Sequence, residues 1–145
     1  MSVGKICSRA VITASPDEPV RVAARRMAQH QVGTLVILRT DGTAEAIGIV
    51  TDRDVTVRCV AVDLDPNTTP VSKIMTQPPR TVDQGASIED AILQMAKTAS
   101  RRLVVTGERN QLVGILSLDD VLDLLIGELG PIGRLLERQQ PYIPT

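Results

Sequence analysis

The chain of 145 residues contains no phenylalanine and no tryptophan, and Tyr142 is its only aromatic residue. Its core must therefore be aliphatic, and it offers no aromatic surface on which nucleic-acid bases could stack. The formal net charge is −1, so the chain also lacks the basic field that attracts phosphate backbones. We therefore expect no nucleic acid among its partners.

Long apolar runs are missing as well. No run reaches about 18 apolar residues, the length of a membrane-spanning helix, and Arg9 interrupts the apolar residues near the N-terminus. The sequence thus predicts no membrane association and a cytoplasmic location.

Histidine and cysteine are scarce. The chain has one histidine, His30, and two cysteines, Cys7 and Cys59. These residues cannot form a zinc ligand set, a Ser-His-Asp triad or a disulfide scaffold, so neither catalysis nor metal binding is indicated. The favoured role of both cysteines is to fill the core in reduced form, and a redox-switched disulfide is the alternative.

What the chain does contain is an internal repeat. An offset of 68 (71 minus 3) pairs Val3 with Val71, Met27 with Met95, and Leu35 with Leu103. An offset of 66 (114 minus 48) then pairs Gly48 with Gly114, and Asp54 with Asp120. The two extra residues of the first copy fall in the Asp41-Gly42 turn, where structural repeats tolerate insertions.

Each copy predicts the order β-α-β-β-α. The predicted strands are 11–13, 34–38, 46–50, 80–82, 102–106 and 111–116, and the predicted helices are 20–30, 88–98, 52–62 and 118–129. A capping box is expected at Ser87 and Asp90. The predicted fold class is therefore α/β, with repeats at 1–66 and 67–129 packed about a pseudo-twofold axis and a tail at 130–145. A short helix is expected in the tail at Leu135 and Leu136, followed by a proline-punctuated end.

One motif occurs in both copies, as Gly48-Ile49-Val50-Thr51-Asp52-Arg53-Asp54 and Gly114-Ile115-Leu116-Ser117-Leu118-Asp119-Asp120. The two aliphatic residues end a buried strand, the hydroxyl residue is placed to cap the next helix, and the final aspartate falls in the first turn of that helix. This spacing has two interpretations. It forms a capping box that satisfies the helix's own N–H groups, or it binds a small polar ligand at the helix N-terminus.

The doubled β-α-β-β-α unit with this motif resembles a tandem pair of CBS domains, the Bateman module named after cystathionine β-synthase. The resemblance covers the chain to about Leu129 and leaves no attached enzyme or transporter domain. The chain is therefore similar to stand-alone bacterial CBS-pair proteins, and residues 51–68 are especially similar to small members of the hypoxic-response type.

The resemblance implies a cleft with up to two sites for an adenosyl ligand. AMP, ADP or ATP is the favoured ligand, and S-adenosylmethionine or NAD is less favoured. The family's ribose-binding and phosphate-facing roles fall on Asp54 with Thr51 and on Asp120 with Ser117. Its adenine-binding segment falls on Ile12-Thr13 in the first copy and on Thr81-Val82 in the second. A disk-like homodimer is implied as well.

The two copies differ in the positions at which they have arginine. Arg101 and Arg102 precede a strand of the second copy where the first copy has Gly33 and Thr34, and Arg53 aligns with Asp119. Because arginine suits phosphate, we expect the copies to contribute unequally to a charged ligand.

The sequence thus predicts a non-enzymatic regulatory module that signals to a partner protein when a nucleotide binds. The alternative is a protein-interaction scaffold of the same fold without nucleotide binding, for which the apolar tail at 132–136 could supply a docking surface.

Overall fold

The computed structural model of the chain describes residues 1–128 and 130–139. It contains two three-stranded sheets, one for each repeat, with helices packed on them, which confirms the predicted mixed α/β class. The helices are α1 (Val3–Ile6), α2 (Val20–His30), α3 (Asp52–Val55), α4 (Ile88–Thr98), α5 (Leu118–Glu128) and α6 (Gly130–Gln139). The strands are β1 (Thr13–Ala14), β2 (Thr34–Leu38), β3 (Ala46–Thr51), β4 (Thr81–Asp83), β5 (Arg102–Thr106) and β6 (Leu112–Ser117).

The largest differences from the predicted elements lie in helices. The helix predicted over 52–62 is α-helical only to Val55 and continues as a π-helical turn over Thr56–Val60. Four of the six residues from Val55 to Val60 are β-branched, and such side chains crowd the preceding turn of an α-helix. At Ser87, the structure shows one half of the predicted capping box, in which Asp90 N–H donates to Ser87 Oγ over 3.1 Å.

The tail helix is longer than the sequence predicted. It begins at Gly130 and runs to Gln139. Pro131 does not interrupt this helix, because it lies in the first turn, where the missing N–H group of proline costs no hydrogen bond. The proline-punctuated end predicted at 140–145 lies outside the described residues.

Both sheets have the same topology. In each, a short strand pairs in parallel with the middle strand, which pairs antiparallel with the third strand. The register places Thr34 opposite Thr51 and Arg102 opposite Ser117. The start of each middle strand therefore lies beside the hydroxyl residue of its own repeat's motif.

The opening segment of each repeat packs on the other repeat. Ser8 exchanges two backbone hydrogen bonds of 2.9 Å with Ile115, and Thr76 exchanges two of 2.9 and 3.1 Å with Ile49. Val3 is thereby buried in the core of the second repeat, and residues 71–75 contribute to the core of the first. The two halves of the chain are therefore tied together by an exchange of their first segments.

The cores are aliphatic, as the absence of Phe and Trp requires. One core lies under each sheet, and a third cluster centred on Val36, Ala46 and Val104 joins residues of both sheets. This third cluster holds the two repeats face to face and contributes to their stability through the apolar area that it removes from water.

The exchange explains why the motif begins with glycine. A Cβ atom at Gly114 would lie 2.5 Å from the carbonyl oxygen of Ser8 and 2.8 Å from Cys7 Sγ. A Cβ atom at Gly48 would lie 2.6 Å from Met75 Sδ and 3.2 Å from the carbonyl oxygen of Thr76. In both repeats the crossing segment approaches the strand too closely for a side chain.

This geometry predicts that Gly114→Ala destabilises the chain more than Gly48→Ala does. The clash at Gly114 is with a hydrogen-bonded backbone, whereas Met75 Sδ at Gly48 can move to another rotamer. We expect Gly114→Ala to lower the free energy of unfolding in urea by about 1–3 kcal/mol. Gly127→Ala, a helix position with no atom within 4 Å of the added Cβ, is the control and should not destabilise. Equal losses at Gly114 and Gly48 would contradict the account.

Candidate functional site

Among the clefts lined by described residues of both repeats, two contain residues of the motif, and their volumes are similar, about 270 and 280 Å³. A larger cleft of about 410 Å³ contains no motif residue. Cleft A is lined by Ser8, Ala10, Val11, Ile12, Val32, Gly33, Thr34, Arg102, Ile115, Ser117 and Asp120. Cleft B is lined by Ile49, Thr51, Arg58, Thr76, Arg80, Ser100, Arg101 and Arg102. The repeat offsets relate the two linings position by position: Ser8 corresponds to Thr76, Ile12 to Arg80, Val32 to Ser100, and Ser117 to Thr51. The clefts are thus pseudo-symmetric in position but differ in chemistry.

The capping-box interpretation of the motif is confirmed in both copies. In the first copy, Asp54 N–H donates to Thr51 Oγ1 over 3.2 Å, and Thr51 N–H donates to Asp54 Oδ2 over 2.9 Å. In the second, the corresponding distances between Asp120 and Ser117 are 3.1 and 3.0 Å. The motif therefore caps both helices, and any ligand must use the atoms that the caps leave over.

Those remaining atoms differ between the copies. Asp54 Oδ1 lies 3.6 Å from Arg58 Nε, so its carboxylate faces a cation. Asp120 lines cleft A, and its Oδ1 has no hydrogen-bond or ion-pair partner among the described residues. The position of Arg58 is taken in the second repeat by Leu124. Cleft A therefore offers a free carboxylate oxygen, which can accept hydrogen bonds from hydroxyl groups.

Cleft A also holds an unpaired hydroxyl group. Thr34 Oγ1 is buried and lacks a hydrogen-bond partner within the described part of the chain. Around it the wall is largely aliphatic, with Val11, Ile12, Val32 and Ile115. A flat apolar group with polar edges fits such a wall.

Cleft B is cationic. It contains four arginines, Arg58, Arg80, Arg101 and Arg102. Three of them have partners: Arg80 Nη1 donates to the carbonyl oxygen of Thr98 over 2.7 Å, Arg58 Nη1 donates to that of Ile74 over 3.2 Å, and Arg101 Nη2 lies 4.0 Å from Asp119 Oδ1. The carboxylates of Asp54 and Asp119 face two of the four arginines, so the cleft carries excess positive charge and suits a phosphate.

The structure brings most predicted site residues to the clefts, but not all. Ile12, Ser117, Asp120 and Arg102 line cleft A, and Thr51, Arg101 and Arg102 line cleft B. Thr13 and Thr81 line two other surface depressions, and Val82 is buried in the second core. Arg53 is exposed and lines neither cleft. Asp54, expected to bind ribose, also lines neither cleft, and its carboxylate lies against Thr51 N–H and Arg58. The segment expected against adenine thus reaches a cleft through Ile12 alone.

Sequence reasoning missed two arginines of cleft B. Arg80 occupies the position of Ile12 at the repeat offset of 68 (80 minus 12), so the alignment contained the signal. Arg58 lies one helical turn after Asp54, a spacing that brings the two side chains together. Neither arginine is adjacent in sequence to the residues it joins in the cleft.

The two cysteines lie in different cores. Cys59 is fully buried in the first core, and Cys7 packs partly buried against the second. Both are free thiols. Burial is the main cause that raises the pKa of the Cys7 thiol, and the charge of Arg9 opposes it only in part. His30 ends α2, as predicted.

Over residues 1–128 and 130–139, no helix is long and apolar enough to cross a bilayer. In the same part of the chain, no three His, Cys, Asp or Glu side chains gather into a possible metal site.

A family comparison identifies the class of protein that this fold and these paired clefts define. The model of the CBS domain matches residues 3–60 and again residues 71–127. The chain therefore belongs to the CBS-domain family and carries a tandem pair of these domains, as its sequence motif indicates.

Individual relatives agree with this assignment. The chain is 36% identical over 120 residues to the CBS domain-containing protein YhcV of Bacillus subtilis, covering 83% of this chain and 82% of that one. It is 32% identical over 116 residues to Hypoxic response protein 1 of Mycobacterium tuberculosis, covering 80% and 79%. It spans only 62% of the protein MK0525 of Methanopyrus kandleri, to which it is 33% identical.

Solved structures show the same fold. The protein PAE2072 from Pyrobaculum aerophilum, complexed with AMP, has a TM-score of 0.74 and 27% identity, covering 83% of this chain and 89% of that one. Hypoxic Response Protein I with two coordinated zinc ions has a TM-score of 0.75 and 30% identity, covering 85% and 98%. A hexameric CBS-CP12 protein from bloom-forming cyanobacteria has a TM-score of 0.74 and 27% identity, covering 84% and 66%.

The raised pKa of Cys7 predicts slow alkylation of the native thiol. The thiolate is the reactive form, so a raised pKa means that Cys7 is less reactive at neutral pH than a cysteine of the unfolded chain. Its reaction rate with iodoacetamide should rise with pH, with a midpoint above that measured in urea. Peptide mapping by mass spectrometry separates Cys7 from buried Cys59. A native midpoint at or below the unfolded one would contradict this environment, and a peptide linking Cys7 to Cys59 would favour the redox switch.

Proposed function

We propose that the chain is a regulatory module that binds an adenine nucleotide of the AMP, ADP or ATP class in clefts A and B and signals its presence to a partner protein. The observation that carries this proposal is the convergence of four arginines on a cleft that Thr51 of the motif also lines. Arginine side chains favour phosphate because they can make bidentate, charge-assisted hydrogen bonds with it. The AMP complex of PAE2072 supports the same class of ligand.

Each cleft would hold a nucleotide of its own, and the chemistry of the cleft favours a particular part of that nucleotide. In cleft A, aliphatic side chains would cover the faces of the adenine, and Asp120 Oδ1 would accept hydrogen bonds from the ribose hydroxyl groups. In cleft B, the arginines would hold phosphates. S-adenosylmethionine carries a cationic sulfonium and no phosphate, so the charge of cleft B disfavours it.

A bound ligand would act on the packing of the two repeats. Each cleft is walled by a crossing segment, at Ser8 in cleft A and at Thr76 in cleft B, and by the strand of the other repeat with which that segment exchanges hydrogen bonds. A nucleotide that contacts both walls favours one arrangement of the repeats over others. Because the nucleotide would bind that arrangement more tightly, it would increase the population of that arrangement. The partner protein would sense the changed arrangement of the repeats.

Calorimetric titration with AMP, ADP, ATP, S-adenosylmethionine and NAD tests the proposal. We expect heat of binding with the adenine nucleotides, with affinity falling as salt concentration rises because arginine–phosphate pairs are screened. S-adenosylmethionine should bind more weakly than AMP. If neither heat nor a thermal shift is observed with any of the five compounds, the chain does not sense an adenosyl ligand.

A pair of serine variants separates ligand binding from helix capping. Ser117→Ala and Ser87→Ala each remove a hydroxyl group that caps a helix, and each should lower the free energy of unfolding by about 1 kcal/mol. Only Ser117 lines a cleft. Ser117→Ala should therefore weaken AMP binding, and Ser87→Ala should leave it unchanged. Equal AMP affinities in both variants would remove Ser117 from the site.

A protein-interaction role is the second candidate, and an exposed apolar face favours it. The residues of this face are Leu122, Leu125 and Ile126 on α5 with Ile132 and Leu135 on α6, each between 42% and 66% exposed. Exposed apolar side chains concentrated on two consecutive helices are typical of a contact surface. We propose a second copy of the chain as its occupant, in keeping with the oligomeric CBS-CP12 relative. A scaffold without nucleotide binding would use the same face for a different protein.

The homodimer proposal predicts that Ile126→Glu yields monomers. Ile126 is 66% exposed, so a glutamate is tolerated in the monomer but places a charge in the interface. Sedimentation equilibrium should show a dimer for the unchanged chain and a mass near 15.6 kDa for the variant. Arg53→Glu, an exposed substitution outside the face, is the control. A monomeric unchanged chain would overturn the proposal.

A further inference from the structure

One residue lines both clefts. Arg102 lines cleft A together with Ser117 and Asp120, and it lines cleft B together with Thr51 and Arg80. It begins β5 and pairs across the sheet with Ser117. Its counterpart in the first repeat is Thr34, which lines cleft A but not cleft B. The pseudo-twofold arrangement therefore contains one shared cation rather than two.

Among the four arginines of cleft B, Arg102 is the one whose guanidinium group has no partner within the described residues. The guanidinium of Arg80 is held by the carbonyl oxygen of Thr98, and that of Arg58 lies against Asp54. In the described part of the chain, the guanidinium of Arg102 makes neither a hydrogen bond nor an ion pair, whereas its backbone N–H and carbonyl groups bond to the Ser100 hydroxyl group. It is therefore free to turn toward an anion on either side.

We propose that Arg102 couples the two clefts, so that a nucleotide phosphate in one cleft takes this side chain and lowers the affinity of the other cleft for a second nucleotide. The inference rests on the proposed nucleotide-binding function and adds a regulation to it. A single guanidinium cannot make bidentate contacts with phosphates in both clefts at once. The chain then binds one nucleotide tightly and a second one weakly, even when either cleft alone would bind well.

Two variants that each close one cleft isolate the role of Arg102. Ala10 is exposed and lines cleft A, and Thr76 lines cleft B. Ala10→Trp should fill cleft A, and Thr76→Trp should fill cleft B, which leaves one cleft for AMP in each protein. Arg102→Thr, which installs the residue found at the first repeat's equivalent position, is then added to each of these proteins and to the unchanged chain.

Calorimetric titration with AMP gives different results for a shared and an unshared arginine. Since a hydrogen bond to a charged group contributes about 1.5–3 kcal/mol, Arg102→Thr should weaken AMP binding at least about tenfold in both single-cleft proteins. In the chain with both clefts open, Arg102→Thr should weaken the first binding event to the same extent and leave the second unchanged. Arg101→Ala is the control, because Arg101 lines cleft B but not cleft A.

The outcomes that overturn the inference are distinct. If Arg102→Thr weakens binding in only one single-cleft protein, the arginine serves one cleft. If it weakens both events in the two-cleft chain, or only the second event, the arginine is not exclusive to the first ligand. Should Thr76→Trp fail to fold, as judged by circular dichroism, the two-cleft measurement alone decides between these results. Absence of AMP binding to the unchanged chain contradicts the proposed function itself, which is a different result from AMP binding with uncoupled clefts.

Discussion

The structure depends on the exchange of opening segments between its two repeats. Ser8 and Thr76 each pair with a strand of the other repeat, and Gly114 and Gly48 are the positions where that approach leaves no room for a Cβ atom. The exchange fills each core with aliphatic side chains from the other repeat. It also creates the clefts, because each crossing segment forms one wall and the strand–helix junction that it crosses forms the other.

The two clefts combine symmetric backbone positions with asymmetric chemistry. Duplication sets the backbone positions in pairs, but the side chains at paired positions differ: Ile12 faces cleft A where Arg80 faces cleft B, and Leu124 replaces Arg58. One cleft is therefore aliphatic with a free carboxylate oxygen, and the other is cationic. A module built in this way can treat two identical ligands differently without any change of fold.

Much of the fold could be predicted from the sequence, because periodicity and the repeat offset report local structure. β2 and β5 lie where they were predicted, and the motif at 48–54 correctly predicted a strand running into a capped helix. The crossing of the opening segments could not be predicted in this way, since it depends on packing between residues far apart in sequence. The family resemblance assigned Thr81 and Val82 to a ligand, whereas in the structure Thr81 lines another depression and Val82 lies in the core. The gathering of Arg58, Arg80 and Arg102 likewise depends on tertiary packing rather than on any local spacing.

A crystal structure of the chain grown with AMP tests the central claim most directly. The account predicts AMP between a crossing segment and a motif helix, in cleft A or cleft B, with its phosphate against Arg102 and its ribose beside the aspartate or hydroxyl residue of the motif. AMP bound elsewhere, for example in the depression lined by Arg39, Glu45 and Thr81, with both clefts empty, would contradict it.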